Sequence, residues 1–532
     1  MAFEVKENMS NLINTAFLRI SKRAETNERS KLLETFVDVG ALFTVLESPD
    51  HQVIYGRRGT GKTHALLYLA ETRSAKGDIP IYIDMRTVGS TGGLYSDDSI
   101  PLPERATRLL MDTLSAVHEG VLNYTLETDS KLDLSILGPL LDEFAMEISR
   151  VIVVGNVTQE AVTTDRSTQT SDIKAGLGID AKGPAFNLGA SEGATQEKQN
   201  QTRISESGTV RHRVHFGAVG QVLSKIIGHL GPRRIWVFLD EWSVVPNDLQ
   251  PLLADLLRRS LFPVRGITVK IGAIEQRTTL QIAGIRGDYT GIELGADMSA
   301  DVNLDDFMVF ENDAFRATEF FQKFLFKHYK SAADDLDCSV KVTRSNELIR
   351  QAFTQRNVFD EFVRAAEGVP RDAINILGLA AQRAGSASIA TSHLRSAAKA
   401  WYQRDKEAPV SANINARDFL HWIVEEVIAH RRARAFLLRS NTRHHLIDTL
   451  FDARVLHLLK RNIASHDQPG IRYDAYKIDY GCYVDLLTTL RAPQGLLPSD
   501  EGDGTHFVEV PPDDYRAIRR AILDPKQYEG SS

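Results

Sequence analysis

Eight consecutive residues, Gly56-Arg57-Arg58-Gly59-Thr60-Gly61-Lys62-Thr63, follow the pattern G-x-x-x-x-G-K-[ST]. Glycines let backbone approach a polyanion closely, and the N–H groups of such a turn converge on phosphate oxygens. The pattern assigns Gly56 to Thr63, with His64 behind them, to a nucleotide-binding loop. Lys62 is expected to reach the β- and γ-phosphates and the Thr63 hydroxyl to ligate Mg²⁺, so ATP and Mg²⁺ are the expected cofactors. Further on, the apolar run Trp236-Val237-Phe238-Leu239 ends in Asp240-Glu241. Asp240 is expected to hold Mg²⁺ and Glu241 to polarise the attacking water, because metal and nucleophile each need a carboxylate.

These groups need rigid elements behind them. Gln52 to Tyr55 reads as a strand, the segment from Lys62 with Ala65, Leu66 and Leu69 as a helix, and Ile79 to Ile83 as a second strand, which makes a βαβ unit. Helical patterns cover about 104–122 and 134–148, and they return at Val219, Val222, Leu223, Ile226 and Ile227. Strands Ile235 to Leu239 and Ile267 to Ile274 flank a helix over Leu249 to Arg259. The expected fold is α/β, a parallel sheet with flanking helices over 36–300, preceded by a helical segment at 1–35. Helices dominate 301–406, helix and strand signals mix over 414–490, and 491–532 reads as a tail. About 158–208 is rich in Ser, Thr, Gly, Gln and Asn and reads as an insertion. Inside it, alternation at Ile173 to Ala181 and Phe186 to Ala190 around Lys182-Gly183-Pro184 predicts a β-hairpin, with a disordered loop as the alternative.

Composition narrows the function classes. No apolar run approaches a membrane span, and the first residues lack the apolar core of a secretory signal, so a cytoplasmic protein is expected. Cys338 and Cys482 are the two cysteines, too few for a disulfide scaffold, and both are expected as buried thiols. No histidine spacing forms a metal-ligand cluster. The chain carries a net charge of -7, yet residues 431–461 hold eight basic residues against Asp448 and Asp452. Such a local excess is what a phosphate-backbone contact requires.

Taken in order, GRRGTGKT at 56–63, Asp240-Glu241-Trp242 and Glu367-Gly368-Val369-Pro370-Arg371 resemble the AAA+ ATPases of the origin-recognition (ORC/CDC) type, as a bacterial-like relative, from about Phe36 to Leu490. The resemblance implies a P-loop AAA+ core, a helical lid over 301–406 and a C-terminal winged helix over 414–490. Arg371 then becomes the lid arginine, sensor 2, that reaches the nucleotide phosphates. Sensor 1 belongs at the end of Ile267 to Ile274, where Glu275 and Gln276 stand in place of the usual Asn or Thr. Gln276, which both donates and accepts, is the better candidate. An arginine finger offered to a neighbouring subunit falls to Arg286, with Arg258 and Arg259 as alternatives. The implied partners are further copies of the chain across ATP-bridged interfaces and duplex DNA through 431–483, although winged helices also dock proteins. Two functions are compatible with this pattern. One is an ATP-hydrolysing protein that couples nucleotide state to oligomerisation and DNA binding. The other is a nucleotide-gated signalling or anti-phage defence scaffold whose winged helix or inserted hairpin at 158–208 docks a protein partner.

Overall fold

The run Ile235–Asp240 is buried along its whole length, as a strand with both faces covered must be. In the computed structural model it lies inside a parallel sheet. The structure describes residues 2–24, 28–38, 42–88, 97, 99–127, 132–161, 202–212, 214–284, 288–307, 314–336, 342–431, 433–440, 442, 444–465, 468–487 and 521–529. The strands among them are β1 (Gln52–Tyr55), β2 (Ile79–Asp84), β3 (Val151–Ala161), β4 (Thr202–His212), β5 (Ile235–Asp240), β6 (Ile267–Ala273), β7 (Gln281–Ala283), β8 (Tyr289–Gly291), β9 (Ser299–Asn303), β10 (Ala435–Arg439), β11 (Leu456–Ala464) and β12 (Arg472–Ile478). The main sheet runs β2-β5-β6-β1-β9 with parallel pairing throughout. β6 therefore separates the strand that feeds the glycine-rich loop from the strand that ends in Asp240. β2 alternates buried with half-buried residues, in keeping with its place at the sheet edge.

The helix Lys62–Ala75 covers one face of this sheet, packing Ala65, Leu66, Leu69 and Ala70 against Ile54, Trp236 and Phe238. Each large apolar side chain so buried contributes about 1.5–3 kcal/mol. The helices Ala314–Asp334, Ser345–Ala352, Arg356–Ala366, Pro370–Ala384 and Thr391–Trp401 share a separate core, with Phe321, Phe359, Phe362 and Leu377 at its centre. The first helix of the chain belongs to it as well. Ile13, Ala16 and Phe17 are buried there, and the Asn14 amide donates to the carbonyls of Gly385 and Ala387 at 2.8 and 2.9 Å.

The C-terminal region has the order helix Ile414–Ile423, β10, helix His445–Asp452, β11, β12 and helix Tyr480–Leu487. Its antiparallel sheet runs β10-β12-β11. A single helix stands between β10 and β11 among the described residues. Part of the tail returns: the Leu523 N–H donates to the Leu437 carbonyl at 2.9 Å, and Tyr528 packs on Phe419 and Trp422. Cys482 is a buried thiol, and Cys338 lies outside the described residues. No described helix is long and apolar enough to cross a membrane.

The chain divides into two compact units, Met1–Ile148 with His215–Ser532, and Ser149–Val214. In the smaller, β3 pairs with β4 without a break from Val151↔His212 to Ala161↔Thr202. The alternations at 173–190 that predict a hairpin turn fall outside the described residues.

Candidate functional site

Between β1 and its following helix the chain makes the turn that the glycines foreshadow. Gly61 is the N-cap residue, in the left-handed region and without a side-chain cap, so the first helical N–H groups are left for an external acceptor. Gly59 has φ +86°, and a Cβ there would stand 2.8 Å from Arg371 Cβ, closer than carbon atoms tolerate. The close approach is sealed by the Arg371 N–H donating to the Gly59 carbonyl at 3.2 Å. Arg371 and the loop are thus in direct contact. Pro370 opens the Arg371 helix at its first turn, where its missing N–H costs nothing.

A cavity of about 330 Å³ lies over this contact. Arg58, Gly59, Gly61, Lys62, Thr63, Arg371 and Glu241 line one end of it. The buried Lys62 Nζ donates to the carbonyls of Gly56 and Arg57 at 2.7 and 3.1 Å. Burial lowers its pKa against the pull of Glu241, Asp240 and Asp305. Asp240 is fully buried, and its carboxylate accepts from Thr63 Oγ1 at 2.6 Å, Tyr82 OH at 2.7 Å and the Glu241 N–H at 2.8 Å. Space for it comes from β6, where a Cβ on Gly272 would stand 2.7 Å from Asp240 Oδ1. Glu241 follows with φ 55° and ψ 35°, a left-handed geometry that turns its side chain to the cavity wall. These donors fit a magnesium nucleotide: uncapped amides, a lysine, and a hydroxyl already bonded to a carboxylate.

An ORC-CDC6-like family model matches residues 21–76, the stretch that contains the glycine-rich loop. The fold is of the expected α/β class, a parallel sheet with flanking helices. Among solved structures, the Aeropyrum pernix ORC1 protein in complex with DNA covers 89% of this chain and 94% of its own, at 13% identity and a TM-score of 0.31. A search of curated proteins finds no match.

Other expected site residues are placed differently. Arg57 turns away from the cavity: its backbone N–H and Nε donate to Asp305 at 2.9 and 2.7 Å, and its guanidinium lies 5.0 Å over the Phe451 ring. His64 lines the cavity, with Nε2 2.9 Å from the Leu32 carbonyl. Gln276 sits in the turn after β6 and does not line the cavity. Its neighbour Glu275 is held by Arg461 at 2.6 Å to each carboxylate oxygen and accepts from Asn303 Nδ2. Arg258 and Arg259 both pair with Asp255 on their own helix, and Arg286 lies outside the described residues. Sequence reading missed Tyr82, which donates to Asp240, and the lining residues Arg86, 21–24, Phe324, His328 and Ile374. Ile374 was within reach of it, one helical turn beyond Arg371.

The basic window also changes meaning. Arg434 pairs with Glu367, Arg454 with Asp405 and Arg461 with Glu275, all acids outside 431–461. Of the rest, Arg431 contacts Glu426, and Arg432 and Arg443 lie outside the described residues. Arg439 and Lys460 are exposed, as is Arg472, whose carbonyl accepts from the Ser440 N–H beside Arg439. Much of the excess counted along the chain is therefore spent on internal ion pairs, and the exposed Arg439 and Lys460 lie on β10 and β11.

Arg434 and Arg454 belong to a buried junction. From Arg57, Nη1 donates to His457 Nδ1 at 2.6 Å. A guanidinium only donates, so Nδ1 is the acceptor, and the neutral ring gives its Nε2–H to Asp479 Oδ2 at 3.0 Å. Lys406 Nζ donates to the same oxygen at 2.6 Å and lies 2.8 Å from Asp372, the residue after Arg371. Arg454 lies 3.4 Å from Asp372, and Lys477 and Arg434 flank Glu367. Glu367 and Arg454 hold the left-handed region at φ 52° and 59°, a strain that the surrounding charges must over-determine. Glu367, His457 and Asp479 are close enough to share a cation, but Arg434, Lys477, Lys406 and Arg57 already fill that role.

Two buried imidazoles give a pH prediction. Burial, helped by His64 and Lys327, pushes His328 down to about 3, and burial with Arg57 holds His457 well below its ordinary value. In the unfolded chain both take a proton near 6.5. Because the folded values are the lower ones, stability is lost as pH falls below about 6.5, by roughly 1.4 kcal/mol per pH unit for each ring. Asp372 and Asp479, which neighbouring cations hold below the usual carboxylate range against the effect of burial, keep their contribution down to about pH 4. The melting temperature should therefore be clearly lower at pH 5 than at pH 7. An equal or higher midpoint at pH 5 would mean that these rings are charged in the fold.

Proposed function

We propose that the chain binds and hydrolyses Mg-ATP and couples its nucleotide state to the C-terminal region, whose wing contacts duplex DNA. The observation that carries this reading is the buried junction: one end is Arg57 of the loop, another is Asp372 beside Arg371, and His457 on β11, Asp479 just after β12, Lys406 and Arg454 stand between them. In this reading Lys62 and the loop amides bind the phosphates, Thr63 and Asp240 hold the metal, Glu241 orients water and Arg371 follows the nucleotide from the lid. The metal, when bound, supplies charge for the phosphate oxygens. Gln276 acts as sensor 1 only if the turn after β6 re-aims it once Arg461 releases Glu275. Assembly of copies across bound nucleotide, with Arg286 as the finger, rests on sequence position and on the resemblance.

DNA contact is supported by the exposed Arg439, Lys460 and Arg472 towards the wing. A scaffold with a protein partner is favoured instead by the β3–β4 hairpin, a compact unit of its own.

ATP hydrolysis by the full chain, measured with and without duplex DNA over a salt series and with Glu241→Gln as the blank, separates the two readings. DNA-stimulated turnover that fades with salt supports the first, since phosphate contacts release counterions. DNA-indifferent turnover, without salt-sensitive binding, transfers the C-terminal region to a protein partner.

A further inference from the structure

Apart from the loop and Arg371, the cavity has lining residues of a different character. Phe324 and His328 stand one turn apart on the helix Ala314–Asp334 and reach it from one side, their rings 4.3 Å apart. Ile374 reaches it from the lid helix, one turn beyond Arg371, and Ala24 from the segment after the first helix. Phe324 and Ile374 are buried and apolar, a setting suited to a flat aromatic ring. His328 is the exception. It is 7% exposed, and its Nε2 has no hydrogen-bond partner. Leaving a buried polar nitrogen unpaired costs about 1–3 kcal/mol, so the position calls for a partner that the fold does not supply. No described neighbour competes for it, since His64 is already bonded to the Leu32 carbonyl.

We infer that His328 reads the nucleobase, its imidazole accepting a hydrogen bond from the 6-amino group of adenine. This rests on the nucleotide reading above and assigns a residue that the glycine-rich loop and the lid arginine do not foreshadow. A neutral ring is required for accepting, and burial keeps this one neutral at physiological pH. Guanine fits worse, because its N1–H and 2-amino donors need acceptors. Glu241 is the one carboxylate among the described lining residues, and it stands at the phosphate end. Burying those donors unpaired among Phe324 and Ile374 would cost more than the ring contacts return.

The test is equilibrium binding of Mg-ATP and of purine riboside triphosphate, which lacks only the 6-amino group, to the full chain and to His328→Phe and His328→Gln. The wild type should prefer ATP about 5- to 10-fold, the worth of one buried hydrogen bond. His328→Phe should bring the ratio to about one while leaving the affinity for the analogue within about 2-fold, and His328→Gln, which can still accept, should restore part of the preference. A ratio that survives in His328→Phe, or a wild type indifferent to the amino group, overturns the inference and leaves the nucleotide reading intact. Failure of the wild type to bind either triphosphate overturns both. The melting temperature of each variant shows whether a lost ratio reflects recognition or unfolding, and the analogue's retained affinity guards the same point.

Discussion

Glu241→Gln should bind Mg-ATP within a few-fold of the wild type and hydrolyse it at least about 10²-fold more slowly, the usual contribution of a positioned general base. The two adjacent carboxylates are in unlike situations. Asp240 is buried and accepts from three donors, Thr63, Tyr82 and the Glu241 N–H, so its place is fixed while about one of its roughly four lone-pair sites is left for a metal. Glu241 lines the cavity, and no hydrogen bond to its carboxylate occurs among the described residues. A group left free at the wall can take a proton from water; a group spoken for by three donors is suited to holding a metal. The amide keeps the shape of Glu241 and tolerates its left-handed backbone as well as the acid does, so binding survives while the base is lost. Lys62→Ala makes the contrasting case. It removes the buried cation that faces the loop's own carbonyls, and ATP binding should disappear altogether. Equilibrium binding and steady-state turnover on the same preparations check both outcomes, and undiminished hydrolysis by either variant would discredit the assignment.

What the sequence revealed and what it concealed divide by range. The glycine-rich loop, β5 with its two acids, and the β1-helix-β2 unit are local: spacing and apolar runs specify them because partners lie a few residues apart. Arg57 shows the limit even there. Its motif position says loop, but its side chain answers to Asp305 and His457, far along the chain. The basic window misled for the same reason, since Arg461 is neutralised by Glu275 and Arg454 by Asp405, and no count within 431–461 can include those acids. The first helix displayed its apolar stripe plainly, yet nothing in the stripe says that it completes the core of helices some 300 residues later. Residues 21–24 reach the cavity because of that docking, so their role was hidden along with it.

The junction that sequence could not show predicts the largest change in stability. Lys406→Met should destabilise the fold by about 3–5 kcal/mol, because it strands Asp372 and Asp479 in a region where neither touches water. The cation lies on a π-helical turn, Tyr402–Lys406, whose wider winding sets it between two carboxylates that belong to different parts of the chain. Asp372→Asn combined with Asp479→Asn and Lys406→Met should recover much of the loss, since an uncharged set carries no stranded charge. The functional consequence separates this junction from an ordinary buried ion pair. Asp372 follows Arg371 directly, and Asp479 reaches the loop through His457 and Arg57. If the junction transmits nucleotide state, the triple variant should regain stability yet still gain less from saturating ATP than the wild type, and its affinity for duplex DNA should no longer respond to nucleotide. Melting curves with and without ATP, and DNA binding under the same two conditions, read both effects. A stable triple variant whose DNA affinity still follows nucleotide would reduce the junction to a structural clasp and place the coupling elsewhere, with the Glu275–Arg461 pair the next contact to break.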